Sequence, residues 1–295
     1  MLTGTSRPRR VILAIGLLML AARPASSQSL AYVGGLQYAT GDFIFTQRTW
    51  SAYFSNGLSW SGGPLRASAS VPLVMQDAGW LQSSGAGMLV PTGGVSGSDT
   101  RIGSGMGSGM QNGRMTPSAG MPFSRIGIGD PTGRVELALV SGEGGLPSVS
   151  VVGAMKAPLA DVNRGLGTGK WDVGTGLSSA LSLGGTSVFA DAVYWKLGNP
   201  PGAALRNAVA YGLSIGRVLP AGGWSALATV SGASSFWDGL AAPVQAGAGL
   251  SYLLESGTSI SLFTAAGLTR TAPTISMGLA WRAPLHQGHD ASSVR

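Results

Sequence analysis

The sequence predicts an all-β fold, a transmembrane antiparallel up-and-down β-barrel of about twelve strands. Three observations carry this. Segments of ten or so residues alternate apolar and small or polar side chains with period two, the pattern of a strand with two unlike faces. The connections between them alternate short and long, as in bacterial outer-membrane barrels with short periplasmic turns and longer outer loops. An export signature opens the chain, and no later run of 18 apolar residues supplies a membrane helix.

Arg7, Arg9 and Arg10 precede the apolar run 11–22, and Ala25 and Ser27 are small residues placed for cleavage before Gln28. Residues 1–27 therefore read as a signal peptide, 28–285 as the barrel and 286–295 as a polar tail. Removing Arg7, Arg9, Arg10 and Arg23 takes the formal charge from +7 to +3, so the basic character belongs mainly to the signal and gives no support for nucleic-acid binding. Cysteine is absent, which excludes a disulfide scaffold and a thiol nucleophile. Glycine at 48 positions and charge at 11% would suit disorder, but 44% of residues are apolar and they fall on alternating positions.

Residues 30–40 form a first, weakly specified strand. From Thr49 to Trp60 one face carries Trp50, Ala52, Phe54, Leu58 and Trp60. Those two tryptophans stand about 33 Å apart along a strand, or about 25 Å across a bilayer at ~40° tilt, the height of an apolar band between two aromatic girdles. After the turn 61–64, Leu65, Ala67, Ala69, Val71 and Leu73 point outward and Arg66, Ser68 and Ser70 inward. Residues 77–128 are a long insertion rich in Gly, Ser and Met without usable periodicity, read as a mobile loop, with an inward-folded constriction as the alternative. Strand four sets Val135, Leu137 and Leu139 against Arg134 and Glu136, and strand five (148–157) sets Val149, Val151 and Met155 against Lys156.

A longer polar loop (158–169) leads to the clearest hairpin. Trp171, Val173, Thr175, Leu177, Leu181 and Leu183 share one face, with Asp172, Gly174, Gly176, Ser178, Ala180 and Ser182 opposite; Gly184-Gly185 turns the chain and 186–196 returns. Strand eight carries Val209, Tyr211, Leu213 and Ile215, strand nine begins at Trp224, and strand ten runs from Val244 to Leu254. Ile260 to Leu268 is strand eleven, and the twelfth carries Ile275, Met277, Leu279 and Trp281.

By parity Arg66, Arg134, Glu136, Lys156, Asp172 and Asp191 line the lumen. Asp191 shares its parity with Phe189 and Trp195, so strand seven needs either a bulge or a partly aromatic lumen wall. Trp50, Trp60, Trp171, Trp195, Trp224 and Trp281 fall near strand ends and are assigned to interfacial girdles.

Catalytic chemistry finds little to work with. The two histidines, His286 and His289, fall in the polar tail, so the barrel lacks the usual general base of a Ser–His hydrolase. GTGKWDVGTG (167–176) is no phosphate loop, because Gly169-Lys170 leads into a strand rather than a helix. No cofactor and no metal site are expected.

The order of motifs, GIGDPTGRVELAL (127–139) followed by SVVGAMKAPLADVNRGLGTGKWDVGTGLSSAL (150–181), resembles the outer-membrane transporter family named for meta-pathway phenol degradation. The resemblance covers roughly 125–285. The chain departs from the family pattern where Ala157 separates Lys156 from Pro158 and where Leu159-Ala160-Asp161 stands for Thr-Gly-Asp. It implies a barrel involved in uptake of aromatic or other hydrophobic compounds.

The expectation is therefore a passive channel or transporter for small solutes in the outer membrane of a Gram-negative-type bacterium. Its partners are the lipid bilayer and the barrel-assembly machinery, with no nucleic acid. The alternative is a non-conducting structural or surface-interaction barrel that acts through the 77–128 loop.

Overall fold

Alternation along the chain becomes one closed sheet in the computed structural model, which describes residues 28–42, 48–76, 81–83, 89–91, 110–111, 114–115, 125–142, 145–164, 166–199, 205–237 and 239–287. The signal-peptide assignment, most of the 77–128 insertion and the tail beyond Gln287, with His289, lie outside these residues. Twelve strands make the wall: β1 Ser29–Gly41, β2 Thr49–Gly62, β3 Leu65–Gln76, β4 Thr132–Ser141, β5 Ser148–Lys156, β6 Asp172–Leu183, β7 Thr186–Lys196, β8 Ala208–Val218, β9 Trp224–Ala233, β10 Val244–Leu253, β11 Ser259–Gly267 and β12 Ile275–Gln287. Each pairs antiparallel with its sequence neighbours, and β1 pairs with β12, so the sheet has no edge.

The short turns, after β2, β4, β6, β8 and β10, gather at one end with Ser29 and Gln287. One of the two-residue turns is Gly184-Gly185, where φ values of 55° and 79° require a residue without Cβ strain. The remaining connections form the loop end.

Burial is inverted relative to a water-soluble protein. Large apolar side chains such as Leu36, Phe54, Leu73, Leu137, Leu213 and Leu262 cover the outside. The inner rows are instead Ser51-Tyr53-Ser55-Gly57-Ser59-Ser61 on β2 and Ser225-Leu227-Thr229-Ser231 on β9. Only a bilayer makes such an exterior favourable, and only a closed sheet satisfies every backbone group there. The barrel is a transmembrane one.

Two boundaries differ from the sequence expectation. Arg125–Ile128, assigned to the loop, pairs with Leu73–Gln76 and extends the β3–β4 contact toward the loop end. The strand is interrupted at Gly129-Asp130-Pro131, where the Gly129 N–H donates to the Pro72 carbonyl (2.8 Å) and Pro131 has no N–H to give. At the other terminus β12 continues six residues past Trp281, so His286 pairs with Leu30 instead of starting a tail. Pro284 is tolerated there because β11 stops at Ser259, opposite Arg282, and β1 bulges at Leu30/Ala31. Within the insertion, Leu81–Ser83 pairs with Leu89–Pro91 and Met110–Gln111 with Arg114–Met115.

Candidate functional site in the barrel lumen

Two loops fold over the lumen at the loop end. The first, between β5 and β6, is held by a buried ionic triad. Lys156 is fully buried, and its ammonium lies 3.1 Å from Asp172 Oδ2, 3.3 Å from Asp130 Oδ2 and 2.6 Å from Thr168 Oγ1. Its three protons thus have three acceptors. Asp130 also accepts from the Ala160 N–H (2.9 Å) and the Thr168 N–H (3.3 Å), and Asp172 from the Gly198 N–H (2.9 Å). Leu166 packs beneath against Val74 and Ala160. The triad therefore ties the loop to β4, β5 and β6 together.

The second loop, between β9 and β10, inserts Phe236 and Trp237. They pack with Trp195, Val193, Leu197, Leu205, Ala208, Ala233 and Val152 in a buried apolar cluster. The Arg206 N–H donates to the Phe236 carbonyl (2.8 Å), and the Ser235 hydroxyl lies 2.8 Å from the carbonyls of Trp237 and Leu240. Together the loops cover the loop end along β4 to β9.

The sequence-assigned side chains separate accordingly. Arg66, Arg134, Glu136 and Asp191 face the lumen, with Arg66 opposite Glu136 in register and Arg134 Nε 2.6 Å from Glu136 Oε1. Lys156 and Asp172 point inward, but the triad and the covering loop remove them from the water-accessible wall. Asp130 is the residue that sequence reasoning missed. It sits outside any periodic strand, and the only signal was an acidic residue set between Gly129 and Pro131 in the GIGDPTGR motif.

The tryptophans divide too. Trp50 stacks on Tyr38 (6.2 Å, 25°) at the loop end, Trp224 meets Tyr252 (4.9 Å, 47°) at the turn end, and Trp60 and Trp171 also lie near strand ends. Trp281 is not terminal: it sits mid-strand against Phe54 (6.1 Å) across Gly34. Trp195 is not a girdle residue. Phe189, Asp191, Val193 and Trp195 all face inward, with no bulge in the register of β7 against β6 or β8. The lumen wall there is partly aromatic, and Trp195 is 3% exposed beneath the β9–β10 loop. Gly174 opposite leaves room for it, because a Cβ there would lie 2.9 Å from the indole.

Among the described residues, three cavities follow one another along the side of the lumen away from these two loops. The first, about 270 Å³, opens beside Thr271-Ala272-Pro273 and is lined by Gln37, Tyr53, Asp191, Ser214, Thr229 and Gln245. The second, also about 270 Å³, shares Gln37 and Tyr53 and adds Ser55, Ser70, Thr132 and Phe263. Phe263 gains its place from Gly278, where a Cβ would collide with the ring. The third, about 420 Å³ at the turn end, is bounded by Ser59, Ser61, Arg66, Ser68, Arg134, Glu136 and Arg282. A chain of small polar cavities with single aromatic faces suits one-ring solutes rather than large ones.

No family model matches the chain, and no curated protein does. Among solved structures it is similar to the COG4313 outer membrane channel from Pseudomonas putida F1, with 12% identity and a TM-score of 0.58 over 90% of this chain and 97% of that one. The CymD monoaromatic hydrocarbon channel aligns over 90% of both chains at 13% identity, but its TM-score of 0.42 is too low to carry an argument. The first likeness shows a shared β-barrel fold.

Proposed function

We propose that this protein is an outer-membrane channel for passive passage of small solutes, including one-ring aromatic compounds. It reaches the membrane through a cleaved signal peptide and the barrel-assembly machinery. The observation that carries the reading is the row of three cavities from loop end to turn end, walled by hydroxyls, amides and the inward rings of Tyr53 and Phe263. Such a wall exchanges the hydration of a small solute for weak contacts that let it enter and leave. The GIGDPTGR segment supports the finer assignment to the phenol-degradation transporter family, since its Asp130 anchors the covering loop.

Liposome swelling with the mature chain, residues 28–295, tests this. Swelling with small sugars and faster swelling with benzyl alcohol are expected. A barrel proved folded by heat-modifiable gel mobility that gives no swelling with any solute overturns the channel reading. It would then favour a non-conducting barrel working through residues 77–128.

A further inference from the structure

The turn-end cavity has an electrostatic character that the rest of the lumen lacks. Arg66 from β3, Arg134 from β4 and Arg282 from β12 line it, with Glu136 as the one carboxylate. Arg134 is engaged by Glu136 at 2.6 Å. Arg66 and Arg282 have neither an ion-pair nor a hydrogen-bond partner among the described residues. Both guanidinium groups are exposed and open to a solute in the lumen.

Their placement is two-sided. Going round the wall from Arg282, β1 and β2 intervene before Arg66, and in register Arg282 stands level with Ser70, four residues along β3, so the two backbones are about 20 Å apart along the wall at the usual strand spacing and rise. The two arginines line one cavity from opposite flanks, with Ser59 and Ser61 of β2 between them. The Ser59 hydroxyl is buried and has no hydrogen-bond partner among the described residues. Planar guanidinium forks with a hydroxyl floor match a carboxylate, which accepts two parallel N–H bonds from one arginine.

We infer that the turn end of the lumen is a binding site for the carboxylate of a small organic acid, held between Arg66 and Arg282, and that it gives the channel a preference for one-ring aromatic monocarboxylates over their neutral analogues. The inference rests on the channel reading and names its substrate class. Phe263, lining the cavity next above, offers a face to the ring while the carboxylate sits below. Asp191 lies in the cavity nearest the loop end, so an anion passes it before reaching the arginines.

The test compares benzoate, benzyl alcohol and benzylamine as swelling solutes for the wild type, Arg66→Gln, Arg282→Gln and the double variant, each checked for heat-modifiable mobility. The control is Arg217→Gln, which removes the same charge from the outside of β8 at the same end. Wild type is expected to pass benzoate fastest. The double variant should lose that advantage by about tenfold, the size of one charge-assisted hydrogen bond, while benzyl alcohol is unaffected. Equal benzoate and benzyl alcohol rates in wild type, or an unchanged ratio in the double variant, overturn the inference while leaving the channel intact. Were no solute to pass, the channel reading would fail by itself. Calorimetric titration of the detergent-solubilised protein would then decide the site: saturable benzoate binding lost in the double variant supports it, and its absence overturns it. Inorganic phosphate in the same titration distinguishes sources, since binding tighter than benzoate would overturn the assignment to carboxylates.

Discussion

At Lys156 an ammonium with no exposure to solvent stands between two carboxylates, and each of those carboxylates holds a loop N–H as well. Substituting Lys156→Met keeps the length of the side chain but leaves Asp130 and Asp172 facing one another without a cation. Breaking a buried pair from one side costs about 3–5 kcal/mol, most of it the uncompensated charge. Urea titration of the folded barrel in detergent micelles, followed by tryptophan fluorescence, should show a loss in that range. Asp130→Asn should lose less, because Lys156 keeps Asp172 and the amide still accepts one N–H. A Lys156→Met barrel as stable as wild type would mean that the triad does not anchor the loop. Parity along β5 and β6 was enough to turn Lys156 and Asp172 inward from sequence. It could not tell a water-facing charge from a buried one, because that depends on Asp130, which belongs to no periodic segment, and on a loop whose path no local pattern specifies. Trp195 shows the same limit. A tryptophan near a strand end suits a membrane rim or an interior plug equally well, and its shared parity with Asp191 was the one sign of the latter.

Among the elements, the strands were legible and the loops were not. A half-lipid, half-lumen strand must alternate, so β6 and β7 declare both faces and their Gly184-Gly185 turn within a few residues. The β9–β10 connection, GASSFWDGLAA, has only two aromatic residues to mark it, and whether they face membrane, water or lumen is decided by Trp195 and Leu205 from distant parts of the chain. That connection supplies the aromatic side chains of the cover over the lumen. Replacing both Phe236 and Trp237 with alanine should open the loop end and raise single-channel conductance in planar bilayers. It should also destabilise the barrel by several kcal/mol, since a buried aromatic truncated to alanine typically costs about 3–5 kcal/mol. Unchanged conductance would mean that the solute path avoids this side entirely, as the row of cavities allows.

For the molecule as a whole, the determining property is that neighbouring residues on one strand face different solvents. Leu213 is the midpoint of β8 and 57% exposed on the outer face; Ser214 beside it points into the lumen, where its hydroxyl donates to Thr229 Oγ1 at 2.9 Å. The twelve-strand count, the two unlike ends and the apolar belt all follow from repeating that contrast, which is why they could be read from period and spacing alone. The filling of the lumen does not repeat, and it could not be read that way. The contrast itself can be tested with one side chain moved by one residue. Leu213→Arg places a guanidinium in hydrocarbon near the midplane and should cost about 2–4 kcal/mol in unfolding from lipid vesicles. Ser214→Arg places the same group in the polar lumen, in the cavity that Asp191 also lines. It should cost far less stability while narrowing the passage and slowing sugar-driven swelling. Equal stability losses at the two positions would contradict a bilayer around this barrel. A large loss at Ser214 alone would mean that the inner face is the dry one and the sheet is inside out.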